Sequence, residues 1–508
     1  MEDKMIFDCI VVGGGVVGAS VFNKLTRIGK SCLLLDKASD VATGASKANS
    51  GLVHAGYDPK PGSLKAVMNV RGNKLYPKIC KRLGIKLRKC GALVVGDDKK
   101  QIKALYDRGL ENGVYVEIWD REKIKGKVPT INDNITVALY ARDAYVVSPY
   151  LLTIALTDEA IVNGGKVALE EDIVSISKEN GIFKVETKKA VYFAKHIVNS
   201  AGSGYNEIAK LLGAEEYKIE LRRGEYFVFD KGTKLNIPCT LFPLPTKLGK
   251  GVLVTPTIDG NYLVGPTSVE SENTTMTTKN GLDSIKEKSG LIVSNLNFRN
   301  AIREFSGLRA IVGDDFVIEK SKKVDGVINL AGICSPGLSS APAIAERVVE
   351  LLGYKNKELK DLQKIEPYVM FKDLPKEKQR ELAKTDADYC AIICKCEQIT
   401  KGDIKKALNR PLKINSVDGV KRRTNAGMGR CQGGFCFSNV VKTISQERKI
   451  AMEQVKKENR GSEVCIGNLR EVNHDWNWCF GDWWWTCWNE CSTFCITKWL
   501  KSCFGRKR

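Results

Sequence analysis

FDCIVVGGGVVGASVFNKLTRIGKSCLLLD, residues 7–36, decides the fold. An apolar run ends in three glycines, a segment of small residues with helical character follows, and a second apolar run closes on Asp36. That order predicts strand, turn, helix and strand, a complete βαβ unit. Gly13-Gly14-Gly15-Val16-Val17-Gly18 satisfies G-x-G-x-x-G, with Asp36 eighteen residues beyond Gly18. Each element meets a need of dinucleotide binding: Gly13 the tight turn, Gly15 the close approach of backbone to a pyrophosphate, Gly18 the helix packing, Asp36 the ribose hydroxyls. The helix N-terminus then faces the phosphates. The fingerprint alone leaves FAD and NAD both open.

Working outward, strand-like segments recur at residues 191–201 and 327–331, each followed by glycine and then helix-forming sequence, and are expected to return to the same sheet. Two alternating, strand-rich regions lie between these returns, at about residues 87–139 and 219–309, and read as an inserted antiparallel domain over the cofactor. A charged run, KDLPKEKQRELAKTDADY, reads as a linker to a compact cysteine-bearing segment at 388–445.

A chain of 508 residues can bury several cores. Its net charge of +21, from 80 Lys+Arg against 59 Asp+Glu, comes from lysines scattered singly, without a long basic block or interleaved aromatics. That pattern points to a lysine-rich surface attractive to anionic substrates, with no nucleic acid as partner. The acidic, strand-like start is unlike a secretory signal, and no apolar stretch reaches the length of a membrane span. A cytoplasmic location is expected, with peripheral membrane association through a partner left open, and in that reducing compartment seventeen cysteines suggest metal or cluster ligands and buried thiols before disulfides.

ATGASKANSGLVHAGY at 42–57, VNSAG at 198–202, RRGEYFVFD at 222–230, SGLRA at 306–310 and AGICSPGLSSAPAIA at 331–345 together resemble FAD-dependent glycerol-3-phosphate dehydrogenases and oxidases. That group lies within the D-amino-acid-oxidase-like superfamily, to which L-2-hydroxyglutarate oxidases are similar. The resemblance covers about residues 5–355 and implies FAD, held by Gly13, Gly15, Gly18, Asp36, Gly202 and Gly337.

Hydride abstraction from a carbinol carbon needs a group to take the hydroxyl proton, and histidine suits neutral pH. Of the three histidines, His196 sits inside an apolar strand as a satisfied core residue and His474 in an anomalous tail, which leaves His54 in NSGLVHAG. Arg309 matches the family's substrate-clamping arginine, able to hold carboxylate or phosphate in bidentate fashion. Lys247 matches a family active-site lysine, and Ser50 and Ser339 carry over as substrate or flavin hydrogen-bonders. The helix opening at SPGLSSAPAIA is expected to aim its N-terminal N–H groups at the flavin.

Cys394-x-Cys396 and Cys431-x4-Cys436 flank thirty-four residues. Four thiolates suit zinc or a [2Fe-2S] cluster, but the C-x-C pair is tight for structural zinc. EQITKGDIKKAL between them reads as a capped helix, and GMGRCQGGFC brings glycines around the thiolates. Residues 394–436 resemble the bacterioferritin-associated-ferredoxin-like [2Fe-2S] domain, which implies a [2Fe-2S] cofactor on these four cysteines. Cys390 lies outside the pattern and is expected to be a buried thiol.

The expected architecture is α/β. A Rossmann-like FAD-binding domain (about 1–80, 145–218 and 310–356) carries an inserted antiparallel α+β substrate domain (about 81–144 and 219–309), all within 1–375. A linker at 376–387, a small mostly helical [2Fe-2S] domain at 388–445 and a tail at 446–508 follow. The expected activity is oxidation of a small anionic hydroxylated substrate, foremost sn-glycerol 3-phosphate, with electrons leaving through the cluster. A 2-hydroxy acid or a cyclic or secondary amine is the alternative substrate, and a flavin and iron-sulfur carrier without organic substrate the alternative of another class. Phosphate against carboxylate, the final acceptor and the oligomeric state stay open.

Seven of the eight tryptophans and six of the cysteines fall after Gly461 without helical or strand periodicity. Tryptophan has one codon, so residues 483–488, WWWTCW, read one nucleotide later begin Gly-Gly-Gly and end in Gly, and residues 503–506 permit an acid eighteen positions on. That is a second dinucleotide fingerprint. It suggests that the tail from about 475 is an out-of-frame reading of a neighbouring coding sequence for a second FAD- or NAD-binding oxidoreductase, the expected electron-acceptor partner.

Overall fold

The computed structural model describes residues 5–245, 251–271 and 274–465. Strand β1 (Ile6–Val12), helix α1 (Val16–Arg27) and strand β2 (Cys32–Asp36) form the expected βαβ unit, with the two strands parallel. β1 is buried on both sides, so its alternate residues feed two cores: Cys9 and Val11 one, Ile10 and Val12 the other.

Residues Val191–Asn199 lie parallel to β1, and Val327–Ala331 lie parallel to Val191–Asn199, so both predicted returns reach this sheet. On the far side Lys166–Leu169 runs parallel to β2, and antiparallel strands complete an eight-stranded sheet. Helix Gly337–Leu351 packs beside α1 and against the long helix Leu64–Leu83, where Ala341, Ile344 and Val348 join Val21, Phe22, Leu25 and Tyr76 in one core.

The second sheet has nine strands and its own core around Leu93, Phe229, Leu241 and Val254. It is antiparallel as expected except at one join: Ala92–Gly96 runs parallel to Thr240–Pro243. Those strands come from the two separate inserted regions, so no hairpin dictates their direction. Leu52–Val53, Tyr145–Val147 and Leu87–Lys89 form a small antiparallel sheet of their own.

Part of the charged run is helical. Lys376–Thr385 is a helix with no buried residue, as expected of a sequence rich in strong helix formers and poor in apolar ones. Beyond it a hairpin (Ile392–Cys394 with Ile399–Thr400) and helices Lys401–Leu408, Val417–Thr424 and Phe437–Arg448 enclose Ile404, Val420, Val440 and Ile444. The first of these helices has the capping box read from the sequence, with Thr400 and Asp403 satisfying each other's backbone N–H. This module continues past residue 445, because Val455 is buried in the same core. Cys390 is exposed, contrary to expectation: Tyr389 turns inward to stack on Phe371, and the thiol next to it faces out.

Two buried carboxylates pin the module to the flavoprotein body. Asp40, fully buried, accepts from the Arg422 Nε and Nη2 and from both terminal nitrogens of Arg423, at 2.7–3.1 Å. Asp158, also fully buried, accepts from Arg410 Nε at 2.9 Å, from the Leu412 N–H at 2.8 Å and from the Tyr368 hydroxyl. Unpaired charge at such depth would cost several kcal/mol per ion, so these contacts fix one arrangement of the two parts. Among the described residues no helix is long and apolar enough to cross a membrane. The tail from residue 466 lies outside the described residues.

Candidate functional site

A cavity of about 1930 Å³ lies between the two large sheets, roomier than the ~300–1,000 Å³ typical of a small-ligand pocket. Its floor is the glycine turn after β1. Gly13 has φ of +103°, and a Cβ there would come within 2.6 Å of the Ser200 carbonyl oxygen; at Gly18 a Cβ would meet the Gly13 carbonyl oxygen at 1.9 Å. Only glycine lets helix and strands close to this distance, and the cradle left over Gly13, Gly15, Val16 and Gly202 is open to the cavity.

Asp36 stands at the end of β2 on the cavity wall. Its Oδ2 accepts the Gly14 N–H at 2.6 Å and its Oδ1 the Ala38 N–H at 2.8 Å, so the carboxylate shapes the turn as well as offering lone pairs to a ribose. Burial pushes its pKa up against those two hydrogen bonds. At the other end of the cavity, helix Gly337–Leu351 presents Gly337, Leu338 and Ser339 with no side-chain cap. A pyrophosphate beside Gly15, a ribose at Asp36 and an anionic ring edge at an uncapped helix N-terminus are what FAD requires, so the residues present fit that cofactor.

His54 follows the short strand Leu52–Val53 and lines the cavity, half-buried, its ring 5.5 Å from that of Phe242. Its backbone is held firmly: its N–H donates to Ser339 Oγ at 2.8 Å, and its carbonyl accepts from Asn69 and Asn73 on helix Leu64–Leu83. Ser339 is therefore a positioning group for His54, with its oxygen already accepting a hydrogen bond, while Ser50 lines the cavity three residues after Lys47.

Arg309 reaches the same cavity from strand Ala301–Ile311 and donates from Nη2 to the Thr267 carbonyl at 2.5 Å. Room for its guanidinium exists because residue 224, across the strand pair, is glycine: a Cβ there would lie 2.2 Å from Arg309 Nη2. Lys247 lies outside the described residues. Two further residues that the sequence did not single out stand here: Arg222, opposite Arg309 in the ladder, and Tyr226, whose pKa is raised by burial and lowered by Arg309. Both line the cavity. A stretch RRGEY on an alternating strand does put residues 222, 224 and 226 on one face, and that was the available signal. His196 is half-buried on its strand, edge-on to Tyr354, with burial lowering its pKa. Its ring lies beside the Gly326 backbone, the surroundings of a core histidine.

The four module cysteines come together as two pairs. Cys396 Sγ donates to Cys431 Sγ at 3.6 Å. Cys394 is held down to about 6 by a hydrogen bond from Cys436, assisted by the Gly427 and Glu397 backbone N–H groups against burial. Among the described residues no group of three or more His, Cys, Asp and Glu side chains is close enough to hold one metal ion. Two pairs of thiols suit a two-iron cluster with two cysteines on each iron better than one tetrahedral zinc. Glu397, buried beside Cys396, accepts from Lys231 at 2.6 Å and lies 3.7 Å from Lys372, tying the cysteine loop to the substrate sheet.

Comparison with known proteins agrees with this division. The family model "FAD dependent oxidoreductase" matches residues 8–351, and the model "BFD-like [2Fe-2S] binding domain" matches residues 392–446. Glycerol 3-phosphate dehydrogenase of Caloramator mitchellensis is 39% identical over 473 residues, 91% of this chain and 98% of that protein. Glycerol 3-phosphate oxidase of Mycoplasma genitalium is 33% identical over 69% of this chain and 96% of its own length. The dithionite-reduced L-alpha-glycerophosphate oxidase of Mycoplasma pneumoniae, solved with FAD bound, superposes with a TM-score of 0.68 at 31% identity, covering 71% of this chain and 98% of that one.

Proposed function

Since the chain belongs to the FAD-dependent oxidoreductase family and carries a [2Fe-2S]-binding domain of the bacterioferritin-associated-ferredoxin type, we propose that it oxidises sn-glycerol 3-phosphate to dihydroxyacetone phosphate and passes the electrons out through the cluster. The observation that carries this reading is the shared wall: His54, Arg309 and the uncapped helix at Gly337 face one cavity in a chain 39% identical to a glycerol 3-phosphate dehydrogenase. FAD, when bound, supplies a two-electron hydride acceptor, and the cluster a one-electron outlet.

The chain's own groups do the rest. His54 takes the proton of the 2-hydroxyl as the C2–H bond breaks, which turns the carbinol into a carbonyl. The grip of Ser339, Asn69 and Asn73 on its backbone keeps that imidazole at one place on the wall. Arg309 holds the phosphate, with Lys247 as a second cation and Arg222 adding field. Gly13, Gly15, Gly18, Asp36, Gly202 and Gly337 hold the cofactor, Ser50 hydrogen-bonds substrate or flavin, and Cys394, Cys396, Cys431 and Cys436 hold the cluster. The acceptor is a second FAD- or NAD-binding oxidoreductase encoded next door, read from the shifted frame of the tail. Resequencing that locus, with a search for peptides from residues 475–508, tests the frame.

The test of the activity is the anaerobic visible spectrum of protein loaded with FAD, iron and sulfide, before and after sn-glycerol 3-phosphate. The flavin band is expected to bleach first and the cluster absorbance to fall more slowly. Bleaching by a 2-hydroxy acid or a cyclic amine instead would replace the substrate, and no bleaching by any metabolite would refute the enzymatic reading.

A further inference from the structure

The segment that follows the last helix of the cluster module returns to the flavoprotein cavity. Lys456 donates to Glu170 Oε1 at 2.7 Å, just after the strand beside β2. The Glu458 carbonyl accepts from Ser39 Oγ, and its carboxylate accepts from Lys47 at 2.7 and 2.9 Å and from Arg422 at 2.6 Å. Asn459 Oδ1 accepts from the Ser39 N–H and hydroxyl, both at 3.3 Å. On its other side the segment is stitched to the module, with the N–H groups of Val417 and Asp418 donating to the carbonyls of Lys456 and Lys457.

Asn459 and Arg460, both exposed, then complete the cavity wall beside Asp36, Lys37, Ala38, Glu170 and Asp172. That is the end of the cavity where Asp36 marks the ribose of the adenosine half.

We propose that Asn459 and Arg460 are FAD-binding residues contacting the adenosine half of the cofactor, carried there by a strap of the cluster module, so that retention of FAD depends on the docked module. The chemistry suits an adenosine diphosphate moiety. A guanidinium offers a flat cationic face to the purine and donors to its ring nitrogens and ribose oxygens. With Asn459 Oδ1 engaged by Ser39, the side-chain N–H₂ is the group left to donate to the base. Lys47, Arg422 and Lys456 hold the strap by ion pairs, two of them to loops that themselves line the cavity. The proposal rests on the FAD-binding family and not on the substrate, so loss of glycerol 3-phosphate oxidation with normal flavin binding would leave it standing.

The experiment titrates deflavinated, cluster-loaded protein with FAD and separately with FMN, following flavin fluorescence, in the unsubstituted chain and in Arg460→Ala and Asn459→Ala. Loss of one charge-assisted hydrogen bond or cation–π contact should raise the FAD Kd about tenfold in Arg460→Ala. FMN, which lacks the adenosine half, should bind as before, and the cluster absorbance should be unchanged. An unchanged FAD Kd in both variants overturns the proposal. So does an equal loss of FMN affinity, because it would mean that the whole cavity had loosened. Glu458→Ala, which cuts the strap from Lys47 and Arg422 while leaving the Asn459 and Arg460 side chains themselves intact, should weaken FAD in the same selective way.

Discussion

Replacing Asp40 with asparagine tests whether a single buried carboxylate docks the cluster module. Asp40 accepts four N–H groups from Arg422 and Arg423, and the side chains of all three are at most 5% exposed. Arg422 keeps a second acid, Glu458, but Arg423 keeps the Gly419 carbonyl and weaker fields from Tyr368 and Asp158. The loss therefore falls mainly on one guanidinium left in a dry site. Breaking a buried pair by removing one partner costs ~3–5 kcal/mol, and the partial rescue of Arg422 places this case near ~3 kcal/mol. With a urea slope of ~1–3 kcal/mol per molar, the module's transition should move down by ~1–3 M. The assay is urea unfolding of loaded protein followed separately by cluster absorbance and flavin fluorescence. An unmoved cluster transition would refute the reasoning. The pH dependence has a definite sign. Burial raises the Asp40 pKa, but the charges of Arg423 and Arg422 outweigh it and hold it below the ordinary carboxylate value. Its contribution is complete above the unfolded value of about 3.9 and is lost as pH falls through the lower folded value, so Asp40→Asn should flatten the acid limb of the stability curve.

His54→Ala should lower kcat with glycerol 3-phosphate by ~10²–10⁴-fold while leaving the flavin spectrum intact, as stopped-flow reduction will show; undiminished reduction would remove His54 as the base. Arg309→Ala should lower kcat/KM by ~10–100-fold, the worth of one charge-assisted hydrogen bond, and the loss should be smaller for a neutral glycerol substrate. Cys431→Ser should abolish the cluster absorbance and electron delivery to a one-electron acceptor, yet leave anaerobic reduction of the flavin by substrate; a cluster that persists would require another ligand.

The βαβ unit, the glycine cradle and the capping box at Thr400 were legible because each is written in neighbouring residues, whereas the thiols meet across the module, Cys396 with Cys431 and Cys394 with Cys436. The period of an apolar run, the step from Gly13 to Gly18 and the spacing of Thr400 and Asp403 are local facts with local physical causes. What escaped depends on pairs far apart in sequence. Nothing in residues 36–47 announces that Asp40 will meet Arg422 and Arg423, and nothing after residue 445 announces that Glu458 will reach Ser39 and Lys47. The parallel join of residues 92–96 to 240–243 escaped for the same reason. The hydrogen bond from the His54 N–H to Ser339 Oγ escaped as well, since the two residues lie 285 positions apart. For Cys390, which stands outside the ligand pattern, burial was the expectation, and the direction in which Tyr389 stacks decided otherwise.

The two acid anchors at Asp40 and Asp158 also have a kinetic meaning. A free ferredoxin-like carrier must find its donor by diffusion, and its turnover falls on dilution. A carrier fused through a short linker already sits at an effective concentration of about millimolar, and here the buried charges remove even the linker's freedom. On the proposed electron route, exchange between the two halves of this chain would be a first-order event within one molecule, and its rate per molecule should not change when the protein is diluted.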